Sequence, residues 1–245
     1  MDRFLYLAMT GAQHNMRAQD IHTNNLANVT TDGFRAEFAQ ARSMPVQGDG
    51  YPSRVYALTE KPGVDFSAGS RDFTDNELDL AIRQEGWFTV LDEQGEEAFT
   101  RAGSFFVDVN GFMRTQSGQI LMGNAGPMVV PPYEKIEVGV DGTVSIRALG
   151  QGPETLVEVD RMKLVNPLNE DLEKGGDGLF RRIDGEFEPP SAKVLLDNGV
   201  VEKSNVNPVT SLIEFMTLSR QFELQVKMMN KAEELDQSSA QLLQQ

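Results

Sequence analysis

The sequence predicts an α+β protein: an antiparallel, all-β central domain with a discontinuous, coiled-coil-like helical domain made from both chain termini. Two observations predict it. Apolar residues recur at helical spacing only near the two ends, and the stretch between them holds short apolar runs punctuated by Asn-Gly and Asp-Gly. A third observation narrows it: helix and strand patterns do not alternate, which argues against a parallel nucleotide-binding sheet.

At the N-terminal end, Leu5, Met9, Ala12 and Met16 recur at alternating spacings of four and three, and Leu26 continues the seam after Gln19 and Thr23. The pattern fits one helix of about seven turns, from near Arg3 to near Thr30. Asp32-Gly33 then ends it. At the other end, Asn207 suits an N-cap and Pro208 the first helical position, where a missing N–H is no loss. Leu212, Phe215, Ser219, Phe222, Val226 and Met229 follow at spacings of three and four. The seam then shifts by one residue to Ala232, Leu235, Ser239 and Leu242, a stutter.

Between the helices the pattern is of strands. Trp87 to Leu91 precedes a turn at Asp92 to Gly95. Asn110-Gly111, Ser117-Gly118, Asp141-Gly142 and Asn198-Gly199 separate further apolar runs, and each pair reads as a hairpin turn. Arg42 to Ser70, with Pro45, Gly48, Gly50, Pro52, Pro62 and Gly63, reads as an extended connector. The expected organisation is residues 1–35 with 204–245 as a terminal helical core domain, 36–72 as connector, and 73–203 as a β-rich outer domain.

Composition removes several function classes. The formal net charge of -15 argues against nucleic acid and against an anionic membrane surface, both of which call for clustered Lys and Arg. There is no cysteine and only His14 and His22, so thiolate sites are excluded and a transition-metal site is not expected. The two histidines are two helical turns apart and read as helix-surface residues. No span is apolar enough for membrane insertion, and Met1 to Thr10 lacks the charge pattern of a secretory signal. Asp75, Glu77 and Asp79 alternate with apolar neighbours and read as a solvated strand face. Asp108 to Gly111 reads as a hairpin turn that lacks the remaining ligands of a calcium loop. Gly175 to Gly178 lacks the Lys of a phosphate cradle, and no nucleophile motif is present. The reading is no enzyme, no cofactor, no metal and no small-molecule substrate.

The seams admit two readings: a contact between the two helices of one chain, or packing completed by neighbouring subunits. Polar seam positions at Gln19, Thr23 and Ser219 suit a helix pair that gains its full burial in an assembly. Asn24, Asn25 and Asn28 near the helix end admit capping or amide bonding between subunits.

Four segments resemble the flagellar axial family of rod and hook proteins. They are Asn24-Asn25-Leu26-Ala27-Asn28 with Thr31-Asp32-Gly33-Phe34-Arg35; Glu77 to Ile82 with Gly86-Trp87-Phe88; Phe99-Thr100-Arg101-Ala102-Gly103-Ser104-Phe105; and Ser204-Asn205-Val206-Asn207 with Glu214, Arg220 to Glu223 and Lys227. They stand in family order across nearly the whole chain. Within the family, Ser204 to Pro208, Asp177 to Arg181 and Gln225 to Met229 look most like its proximal-rod members. Distal-rod or hook-type membership, and a β-rich binding or hydrolase domain dimerised by its helices, are the alternatives. The resemblance implies a structural subunit of the basal-body rod, stacked helically with other axial proteins around an export channel to form a drive shaft. It implies export by the flagellar type III apparatus without a cleaved signal, and a final place in the periplasmic space. The expected subunit interface is the two seams: Leu5, Met9, Ala12, Met16 and Leu26 with Leu212, Phe215, Phe222, Val226, Met229, Leu235 and Leu242.

Overall fold

A computed structural model describes residues 2–45, 55–152 and 155–242. Gly48, Gly50 and Pro52 of the irregular stretch, and the side chains of Ser239 and Leu242, lie outside that description. The fold is mixed. Every strand pairing among the described residues is antiparallel, and one long helix lies at each end. The chain divides into two compact units, residues 1–29, 36–65 and 206–245 in the first, and 30–35 with 66–205 in the second.

The first unit contains helix α1 (Asp2–Ala27), strands β1 (Glu37–Phe38), β2 (Ala41–Pro45), β3 (Val55–Thr59) and β4 (Gly63–Val64), and helix α2 (Pro208–Leu242). The two helices pack along each other. α2 starts where its capping residues place it. Asn207 Oδ1 accepts the N–H of Val209 at 3.0 Å and of Thr210 at 3.2 Å, and its carbonyl accepts the N–H of Ser211. Pro208 follows in the position that has no N–H to satisfy. α1 stops at Ala27, a little before the expected Thr30, where the backbone tightens and the Val29 N–H donates to the Leu26 carbonyl, and Asn28 folds back there. Its Nδ2 donates to the Asn24 carbonyl at 2.9 Å, occupying an acceptor at the helix end. Part of the stretch read as a connector is paired: β1 with β4, and β2 with β3.

The second unit holds β5 (Arg71–Phe73), β6 (Leu80–Ile82), β7 (Trp87–Leu91), β8 (Glu97–Thr100), β9 (Phe105–Val107), β10 (Met113–Thr115), β11 (Ile120–Leu121), β12 (Tyr133–Val138), β13 (Thr143–Ala148), β14 (Val157–Arg161), β15 (Leu164–Val165), β16 (Leu172–Lys174), β17 (Phe180–Arg182), β18 (Leu196–Asn198) and β19 (Val200–Glu202). The main sheet runs β16-β17-β8-β7-β11-β10-β9, with β15 also on β7, and a second sheet runs β12-β13-β14. Between them lies a core that includes Leu80, Phe88, Phe105, Met113, Leu121, Val144, Met162 and Leu196. Phe88 meets Phe105 edge to face, with centroids 5.1 Å apart. Turns form at Asp92 to Gly95, Asn110-Gly111, Ser117-Gly118 and Asp141-Gly142 as expected.

Asn198-Gly199 is not a hairpin turn. β18 pairs with β6, β19 pairs with β5, and the two form one long ribbon that crosses Gly199 without reversing. Gly199 has φ +67°, and Asp75, with φ +57°, bends the opposite strand. The signal marks a bend opposite a bulged loop, since the edges that a hairpin would join are taken by β5 and β6. The solvated-face reading fails at Asp79, which is buried and accepts the Ser104 hydroxyl at 2.8 Å. Leu80, Ala81 and Ile82 are likewise all buried, because β6 is covered on both faces.

Five turn aspartates are held below the usual carboxylate range, Asp92 among them, where burial pushes up but hydrogen bonds from Arg181 and from the Glu96 and Gln94 N–H groups outweigh it. The Arg114 guanidinium lowers Asp108, the Thr143 hydroxyl Asp141, the Arg181 guanidinium Asp177, and the Arg182 guanidinium Asp184, which is pushed down to about 2. A carboxyl whose folded pKa lies below its unfolded value of about 3.9 stabilises the fold above that value and loses this as pH falls through the folded pKa. The urea midpoint is therefore expected to hold from neutrality to about pH 5 and to fall between about pH 4 and pH 2. Emission from Trp87, the single tryptophan, reports it.

Candidate assembly surface

The contact between α1 and α2 uses a stripe that apolar periodicity did not select. On α1 the buried residues are Ala8, Ala12, Asn15, Ala18 and Asn25. Apart from Ala12, this stripe is one residue out of step with the expected seam, a rotation of about 100°. Leu5, Met9, Met16 and Leu26 are exposed, Met16 by 57%. The reason is packing distance. Small side chains let the two helices approach closely, and a Cβ at Gly11 would stand only 3.1 Å from Gln225 Nε2. The larger side chains are left on another face.

α2 splits the same way. Phe215, Phe222, Val226 and Met229 are half-buried and Ala232 is buried, as the seam predicts. Leu212 and Leu235 are exposed, Leu235 by 62%, and Val209, Ile213, Met216 and Leu224 are exposed with them. Each helix therefore carries an apolar stripe in solvent. His22 is not a surface residue. Its side chain is 14% exposed on the inner face of α1, with Nδ1 3.3 Å from Glu214 Oε2 of α2.

The motif residues hold backbone together. Asn25 does not cap α1 but reaches from it to the strand alongside. Its Nδ2 donates to the Glu37 carbonyl at 2.7 Å and its Oδ1 accepts the Glu37 N–H at 2.9 Å, fixing β1 beside the helix. Leu26 and Ala27 are exposed, and Asn24 supplies the carbonyl that receives Asn28. Gly33, with φ +68°, donates its N–H to the Glu202 carbonyl at 2.7 Å. Phe34 is buried, with Lys174 Nζ 3.8 Å above its ring. Ser204 and Val206 are buried, and Asn205 donates its N–H to the Phe34 carbonyl and its Nδ2 to the Ser67 carbonyl.

Beneath Gly33 lies a buried triad. Glu202 is 2% exposed, with Oε1 2.7 Å from Arg35 Nη1 and Oε2 3.2 Å from Arg101 Nη1. The Gly69 N–H donates to the same Oε1. Arg101 also donates to the Gln84 carbonyl, and its guanidinium stands 5.5 Å from the Trp87 ring centroid. Burial pushes Arg101 down to about 10, against the pull of Glu202. Sequence reasoning missed this triad as a unit. Arg35 and Arg101 both stand inside family motifs, but nothing local ties either to Glu202.

Three family profiles match the chain, each over a different part. The profile described as flagella basal body rod protein matches residues 5–35, the flagellar hook protein FlgE/F/G D1 domain matches 81–146, and the flagellar basal body rod FlgEFG protein C-terminal region matches 197–242. The flagellar basal-body rod protein FlgF of Escherichia coli (strain K12) is 35% identical over 99% of both chains. This chain belongs to the flagellar basal-body rod protein family. The Salmonella typhimurium FlgF protein is 34% identical over 99% of both chains, and the FlgG protein of Buchnera aphidicola subsp. Schizaphis graminum is 30% identical over 97% of this chain and 98% of its own. Within the rod-family segments the triad takes one member from each: Arg35 from the first, Arg101 from the second and Glu202 from the third. Among the described residues of this rod-family chain, no cluster of three or more His, Asp or Glu could hold a metal ion, and no helix is long and apolar enough to cross a membrane.

Proposed function

We propose that this chain is a structural, non-catalytic subunit of the flagellar rod, of the FlgF type. It polymerises helically with other axial proteins through its terminal helices, in coiled-coil-like packing. The observation that carries this reading is the pair of apolar stripes left in solvent, Leu5, Met9, Met16 and Leu26 on α1 with Leu212, Ile213, Met216 and Leu235 on α2. Fully burying a wholly exposed side chain of this kind is worth roughly 1.5–3 kcal/mol, and these are 36–62% exposed, so neighbours stacked against them gain roughly 1 kcal/mol at each. As in any helical polymer, the contacts are heterologous, one surface meeting a different surface on the next subunit. In this reading residues 1–35 and 204–245 form the core of the shaft around the export channel, and residues 73–203 lie outside it. The chain reaches the periplasmic rod through the flagellar type III apparatus without a cleaved signal.

The test is a charge on each stripe. Met16→Glu combined with Leu212→Glu is expected to change monomer stability by no more than about 0.5 kcal/mol per site, since both side chains are exposed. The same double variant is expected to abolish swimming and to leave basal bodies with incomplete rods. Normal motility with complete rods would refute the assembly reading.

A further inference from the structure

The triad is electrically unbalanced. Two guanidiniums, 1% and 7% exposed, share the single carboxylate of Glu202. An excess charge in a poorly hydrated place calls for a counter-charge. Both arginines also have an Nε that is buried and without a hydrogen-bond partner among the described residues. The same two arginines line a cleft of about 240 Å³. Its apolar walls include Phe66, Trp87 and Leu168, and Trp87 packs against Phe180 at a 44° tilt with centroids 4.6 Å apart, which fixes that wall. Glu85, exposed, lies at the same cleft and carries the sign of the missing partner.

The cleft is smaller than the roughly 300–1,000 Å³ of pockets that enclose whole ligands. It suits one side chain: a short apolar stem against Trp87 and Phe66, and an anionic head on the arginines. A carboxylate matches a guanidinium in shape and charge. The chain has 37 acidic against 22 basic residues, so a second copy presents carboxylates readily. We propose that this cleft receives an aspartate or glutamate side chain from a neighbouring axial subunit, a polar register point in the rod that is separate from the helical stripes. The inference rests on the rod reading and adds a specific contact to it.

Trp87 lines the cleft and is the only tryptophan, so its emission reports occupancy in the purified full-length chain. Propionate, which reproduces the end of a glutamate side chain, is the probe, with chloride at matched ionic strength as control. A saturable emission change is expected with propionate alone. Removing the like charge with Glu85→Gln should tighten propionate roughly fivefold, and adding one at the exposed rim with Leu168→Asp should weaken it roughly tenfold. Absence of saturation, or no response to either substitution, overturns the proposal. Inorganic phosphate binding as tightly as propionate overturns the carboxylate assignment in favour of a general anion site. In cells, Leu168→Asp is expected to impair swimming while Leu168→Lys does not, and equal behaviour of the two overturns the charge argument. A photo-crosslinking residue at position 168, with another at 212, separates the readings. Adducts with rod neighbours from both support the cleft contact. Adducts from 212 alone sink the cleft and leave the rod reading standing, and adducts from neither sink the rod reading itself.

Discussion

Replacing Gly33 by alanine is expected to destabilise the second unit by about 4 kcal/mol or more, enough to make much of the protein insoluble. Two costs add. At φ +68° an L side chain is strained by roughly 1–2 kcal/mol. The new Cβ would also lie 2.2 Å from the Arg101 carbonyl carbon and 2.3 Å from the Ala102 nitrogen. Those are backbone atoms, which cannot swing aside as a long side chain can. Relieving the clash would pull Gly33 from the Glu202 carbonyl, breaking a 2.7 Å hydrogen bond as well. Urea unfolding followed by Trp87 emission measures the loss. Gly118→Ala is the control: its φ is +94° but nothing lies within 4 Å of the added carbon, so only the strain, about 1 kcal/mol, is expected. Equal effects at the two positions would show that close approach at Gly33 contributes nothing.

Glu202→Gln is the second large effect, expected at about 3–5 kcal/mol. The substitution keeps the size of the side chain but leaves Arg35 and Arg101 facing each other across a neutral amide in a buried place. One of the two positions now held by carboxylate oxygens becomes an NH₂ that points donor to donor. The same unfolding measurement applies, with one further signature. Because the group is buried, added salt should recover little of the loss. Asp197→Asn is the comparison. Asp197 binds Arg71 and Arg83 at a partly exposed site, where the loss is expected to stay within about 1 kcal/mol and to shrink further with salt. A change of similar size at both sites would mean that burial does not set the strength of the triad.

Much of the fold was legible because its signals are local. Asn207-Pro208 starts α2 by satisfying N–H groups two and three residues away, and Asn110-Gly111 and Asp141-Gly142 reverse the chain through their own backbone angles. Asn198-Gly199 gives the same local bend, yet what the flanking strands pair with is decided elsewhere, by β5 and β6. On α1, apolar periodicity selects the exposed stripe and not the contact between the two helices, for a related reason. Periodicity weights side chains by apolarity, so Leu5, Met9 and Met16 outweigh Ala8 and Ala18. Within one chain, close approach favours the alanines. The larger residues are the better marker of a surface that awaits something else. The triad was illegible because its members come from three distant segments, and a glutamate at the end of a strand looks like any solvated carboxylate until its surroundings are known.

The ribbon across Gly199 sets a schedule. Arg71 in β5 and Asp197 in β18 are bonded across 126 positions of chain, and closing a loop of that length costs on the order of 4 kcal/mol of chain entropy before any contact forms. A polypeptide that emerges from its N-terminus therefore presents β5 and β6 long before their mates arrive. Until Leu196 to Glu202 are free, two strand edges stand open and the arginines have no glutamate to face. The barrier to premature collapse is thus written into the order of the strands, and the last quarter of the chain acts as the clasp that lets the β unit shut.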